Sequence, residues 1–182
     1  MRPASELARA LVALLYARIP VGENPQNLLG RADRAVHELA KADRAYQKTI
    51  ERTLPRTRAR ELLAAMESFR RDVVAIRNQA RNAAPYGDFD PLDTYVPSFG
   101  GSHAEATRAA NVGDRARQMV EDARAHVNAR IVANLSAGEL ERLLDAKRKR
   151  GAEFERIITK AMPRDVDPPV IAQLVQVADG WF

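Results

Sequence analysis

The sequence predicts an all-α protein: an elongated helical bundle of four long helices in two antiparallel hairpins, with short helices at both termini. Three observations predict it. Alanine (32 copies) and arginine (24) are abundant among the 182 residues, and both favour helix. The ten prolines, at 3, 20, 25, 55, 85, 91, 97, 163, 168 and 169, leave three long proline-free stretches. An interior proline costs a helix about 3 kcal/mol, so those stretches are where long helices belong. Within them apolar residues recur at helical spacing, and no strand of useful length is seen. The length suits a single domain over residues 1–182 with a real core.

The elements follow in order. Pro3 or Ser5 opens a short helix that runs to about Ile19. Asn24 can cap a second helix with Pro25 in its first position. Its seam, Leu29, Ala32, Val36, Leu39, Asp43, Tyr46, Ile50 and Thr53, keeps a 3-4-3-4 rhythm until Leu54-Pro55. The rhythm resumes at Leu62, Met66, Phe69, Val73, Ile76 and Ala80, so residues 25–54 and 56–83 are expected to form a hairpin with Val36 and Phe69 in one core. An irregular aromatic and acidic loop is expected at about 84–102. Helix returns near His103, with a weak point expected at Gly113, and continues to about Leu135. Ser136 and Glu139 have the spacing of a capping box for the next helix, which Pro163 ends. A short amphipathic helix follows Pro168-Pro169 and leads to Gly180-Trp181-Phe182.

Chemistry is sparse by comparison. With no cysteine, disulfides, iron–sulfur clusters, Cys-ligated zinc and thiol catalysis are excluded. His37, His103 and His126 are scattered, no glycine-rich phosphate loop or His-Glu-x-x-His occurs, and no cofactor or metal is expected. Asp88, Asp90 and Asp93 have the opening spacing of a calcium loop but lack its later Gly and Glu, which favours a solvated or capping role. The segment Arg31-Ala-Asp-Arg-Ala-Val-His37 resembles the loose Arg-then-His spacing of HEPN-type ribonucleases, and departs from it at Ala32, where that family carries a polar residue. The resemblance implies at most a helical nuclease using His37. The residues themselves suggest a surface Arg and His beside the Val36 seam.

Charge and aromatic content point elsewhere. Lys41, Arg44, Lys48, Arg52, Arg56, Arg58 and Arg60 form a basic stretch, with Lys41, Arg44, Lys48 and Arg52 on one helix face. Lys147, Arg148, Lys149 and Arg150 form a second block, where the apolar seam lapses and most of the run is expected in water. These eleven residues are the candidates for contact with an RNA or DNA backbone. No Lys or Arg lies between Arg81 and Arg108, and that interval holds Tyr86, Phe89, Tyr95 and Phe99. With Trp181 and Phe182 these are the candidates for docking on a partner protein or a second copy, since large aromatics are seldom left in water. The most apolar stretch, Leu11 to Val21, is too short to span a bilayer and contains Arg18, so no membrane is expected and a cytoplasmic location is. The expected function is that of a non-enzymatic subunit or adaptor of a protein assembly, with sequence-independent nucleic-acid binding as the alternative.

Overall fold

The computed structural model describes residues 3–83 and 103–182, and the side chains of 6–80, 82–83 and 111–182. Among the described residues there are six helices and no strand: α1 (Pro3–Arg18), α2 (Pro25–Thr53), α3 (Arg56–Ala83), α4 (His103–Val132), α5 (Ala137–Ala161) and α6 (Pro168–Trp181). The fold class is all-α, as the periodicity predicts. No described helix is long and apolar enough to cross a membrane.

Local chemistry sets the boundaries. The Asn24 side chain accepts from the Gln26 amide at 2.9 Å, and Pro25, with no N–H to satisfy, begins α2. The Leu54 amide still donates to Ile50, and Pro55 stops the ladder there. Ser136 and Glu139 form the reciprocal capping box. The Ser136 hydroxyl accepts from the Glu139 amide at 3.3 Å, and the Glu139 carboxylate accepts from the Ser136 amide at 2.9 Å. Helix α4 runs without a break through Gly113, which is buried, so the weak point expected there is not found.

The chain forms two compact units. The first comprises residues 1–60 and 136–182, and so joins α1, α2 and the first turn of α3 to α5 and α6. Helix α2 packs along α5 and α1, and α6 packs on α5 and α1. Leu7, Leu11 and Leu15 of α1 meet Leu28, Val36 and Leu39 of α2, Phe154 and Ile158 of α5, and Leu174 of α6 in one core. Full burial of each such side chain contributes about 1.5–3 kcal/mol. The members of this core come from α1, α2, α5, α6 and Met162 beside α5. The side of α2 that carries Val36 is taken by α1 and α5 within this unit. The heptad located the seam of α2, but a seam does not name its partner.

The second unit comprises residues 61–135, the rest of α3 and all of α4. Leu62, Val73 and Ala80 are buried on α3, and Gly113, Ala116 and Val120 on α4. These positions keep helical spacing, seven apart between Val73 and Ala80, and three and four apart on α4. Phe69 is only half-buried. Val74, Met119 and Val132 are 48%, 39% and 52% exposed.

Candidate functional site

The first unit holds a buried ionic cluster between α2, α5 and α6. Arg150 and Asp43 are its interior members, 7% and 3% exposed. One terminal nitrogen of Arg150 donates to Asp43 at 2.6 Å, and the other to Asp179 of α6. Gln47 donates to the second Asp43 oxygen at 2.7 Å. The guanidinium carbon lies 5.0 Å from the Tyr46 ring centre and 5.1 Å from that of Phe154, so the cation also has two aromatic neighbours. Burial raises the Tyr46 phenol pKa; the Arg150 charge opposes that shift, while Asp43 and Asp179 add to it. The phenol therefore stays neutral beside the pair.

This cluster corrects the reading of Lys147–Arg150. The seam of α5 does not lapse: Arg150 follows Leu143 by seven residues, precedes Phe154 by four, and faces the core with both. Lys147, Arg148 and Lys149 are exposed. Arg148 and Lys149 lie 3.6 and 2.8 Å from Asp145, whose pKa is lowered chiefly by the Lys149 hydrogen bond.

The other basic candidates sort in the same way. Arg58 forks onto Glu139 at 3.0 and 2.9 Å. The Glu139 pKa is lowered, first by the bonds from Ser136 and then by Arg58. Lys41 is paired with Glu38 at 2.6 Å. Arg44, Lys48, Arg52, Arg56 and Arg60 are exposed, and none of them has an acidic partner among the described residues. Lys147 likewise has no acidic partner among the described residues, so the structure splits the eleven cations into five neutralised and six available, a division invisible in composition.

A groove of about 460 Å³ runs between α2 and α5. Ala42, Ala45, Thr49 and Thr53 line it on α2, and Arg142, Ala146 and Lys149 on α5. Small side chains on both helices leave this gap. Its acidic lining residues are both engaged, Asp145 as described and Glu153 with Arg156 at 2.6 Å.

The terminal aromatics lie on their own unit. Phe182 stands edge-on to Phe154, ring centres 5.8 Å apart, and Trp181 and Phe182 are both partly buried against the core. Tyr86, Phe89, Tyr95 and Phe99 lie outside the described residues, as do Asp88, Asp90 and Asp93.

Arg31 and His37 are not brought together. Arg31 donates to Glu23 at 2.7 and 2.8 Å and to the Ala161 carbonyl at 2.9 Å. His37 is exposed, with Nδ1 donating to the Asp33 carbonyl at 2.8 Å. Six residues apart, they project about 120° from each other around α2. Among the described residues no group of three or more His, Asp or Glu could hold a metal ion.

Sequence reasoning missed the Asp43–Arg150–Asp179 cluster. Its signal was present: Asp43 occupies a seam position of α2, and Arg150 fits the heptad of Leu143 and Ile157. Comparison of the chain with protein-family models, with curated proteins and with solved structures finds no match in any of the three.

Proposed function

We propose that the protein is a non-enzymatic helical-bundle subunit or adaptor of a protein assembly, and that residues 61–135 make its contact. The observation that carries this reading is the thin self-burial of the described side chains of α3 and α4. These helices have 28 and 30 residues. Within 61–135 the buried apolar side chains among the described residues are Leu62, Val73, Ala80, Ala116 and Val120, four of them small or β-branched without a long reach. Helices in proteins are held chiefly by packing of an apolar face, not by propensity. A further surface laid against Val74, Met119 and Val132 would supply it.

Charge supports the same reading. Residues 61–135 carry 9 Lys+Arg and 10 Asp+Glu, a net charge of −1, so an approaching protein meets no strong net field. The same interval contains Tyr86, Phe89, Tyr95 and Phe99, the residue types that interfaces use as anchors. Trp181 and Phe182 already have neighbours in their own unit and are left out of the proposed contact.

Hydrogen exchange with light scattering tests it. In dilute solution, α3 and α4 amides should exchange faster than those of α2 and α5. They should slow as the concentration rises or the partner is added, in parallel with the measured mass. Val74→Asp combined with Met119→Asp should abolish that response and leave α2 and α5 protected. Amides of α3 and α4 as slow as those of α2 and α5, in a protein that stays monomeric, would overturn the reading.

A further inference from the structure

The first unit carries the chain's net charge. Residues 1–60 have 12 Lys+Arg against 6 Asp+Glu, a surplus of six, whereas residues 136–182 balance at 8 against 8. That surplus has a defined place. Arg44, Lys48 and Arg52 are exposed at i, i+4 spacing on α2, about 6 Å apart along its axis. Arg56 and Arg60 continue at the same interval on the first turn of α3. Each of the three on α2 is followed by a residue lining the groove, namely Ala45, Thr49 and Thr53. Across the groove, Arg142 is exposed on α5 and likewise has no acidic partner among the described residues.

From this arrangement we infer that the α2–α5 groove and its basic rim form a binding surface for the phosphodiester backbone of nucleic acid, read without regard to sequence. A duplex presents one charge per ~1.7 Å of its axis, so several phosphates fall within the ~12 Å from Arg44 to Arg52. The groove offers Thr49 and Thr53 hydroxyls and small side chains, and its one aromatic lining residue, Tyr46, is partly buried with Arg150 over its ring, which suits backbone contact more than base stacking. A lipid surface fits less well. An interfacial helix needs an apolar face for the bilayer, and the apolar face of α2 is already in the core. The inference is independent of the assembly reading, since none of these residues lies in 61–135.

Anisotropy of a labelled 20-base-pair duplex and of its single strands, measured from 50 to 200 mM salt, tests it. Neutralising about five phosphates predicts a log–log slope of about 4.5 for the duplex, a loss of roughly 500-fold over that range. Lys48→Gln with Arg52→Gln should lower the slope by about two, with an unchanged helical spectrum. Lys147→Gln with Arg148→Gln should lower affinity less than threefold. Binding that is undetectable at 50 mM salt, insensitive to salt, or equally weakened by both pairs would overturn the proposal. So would a protein that sediments with phosphatidylserine vesicles but leaves both nucleic-acid probes free.

Discussion

The two units are built from helices of similar composition, yet they meet the problem of burial differently. In the first, four helices surround one core, and even its charged interior residues are matched, Arg150 by Asp43 and Asp179. In the second, the described side chains of two helices of 28 and 30 residues bury a short row each and leave Val74, Met119 and Val132 in solvent. Helix length is therefore a poor guide to self-sufficiency. What distinguishes the units is how many faces each helix can cover: α2 is flanked by α1 and α5, and α5 by α2 and α6. Charge divides along the same line, with the basic surplus on the first unit and near balance on the second.

The strongest attempt to break this comparison is excision. Arg58 and Glu139 are paired, so the chain ends left by removing 61–135 are within reach of a short Gly-Ser linker. The shortened protein should fold cooperatively with helical content close to that of α1, α2, α5 and α6. A molten chain without a thermal transition would show that the first unit depends on the second.

Within the first unit, Arg150→Ala leaves Asp43 buried without its cation and should cost about 3–5 kcal/mol in chemical denaturation. Asp43→Ala in the same chain should recover part of that loss, because the interior then holds one fewer unmatched charge.

Phe154→Ala sharpens the contrast between units. Fully buried in the core and in contact with the Phe182 ring, Phe154 should cost about 3–5 kcal/mol when truncated. Phe69→Ala, at a half-buried position of α3, should cost clearly less. Equal losses would mean that the second unit is as well packed as the first.

The smallest effect concerns the start of α5. Ser136→Ala should cost about 1 kcal/mol through loss of the cap. Because the Glu139 pKa is lowered in the folded chain, its contribution is present above the unfolded carboxylate value of about 4.3 and is lost as the pH falls through the folded value. The gap between Ser136→Ala and wild type should thus narrow in acid, leaving the part due to the bond from the Glu139 amide, which does not titrate. A difference that stays constant down to pH 2 would assign the cap's effect to something other than this carboxylate.

Much of the fold is legible in the sequence because its boundaries are local chemistry. Pro25, Pro55, Ser136 with Glu139, and Pro163 each act on the residues next to them, and the helix ends fall where they indicate. Pairing is not local. Val36 announces an apolar face, but whether Phe69 or Phe154 meets it depends on the path of the whole chain. The same holds for the cations. Arg150 and Lys149 are adjacent and chemically alike in the sequence, and only the register of α5 against α2 sends one inward to Asp43 and leaves the other in water. The row from Arg44 to Arg60 was readable as a basic stretch. That Lys41 and Arg58 are neutralised while their neighbours are not required the positions of Glu38 and Glu139.

The seam position of Asp43 also bears on events at the ribosome. The first unit is discontinuous, so α1 and α2 are made before residues 61–135, and α5 follows them. At ~5–20 residues per second, those 75 residues take roughly 4–15 s to synthesise. Throughout that interval the α5-facing side of α2 has no native cover. An acidic group in the middle of it interrupts the apolar strip and disfavours a premature wrong partner, in the way that inward-pointing charges protect other unpaired surfaces. When Arg150 emerges, the same carboxylate becomes the half of an ion pair that only the correct register completes. The register of α2 against α5 is thus tied to the meeting of Asp43 with Arg150.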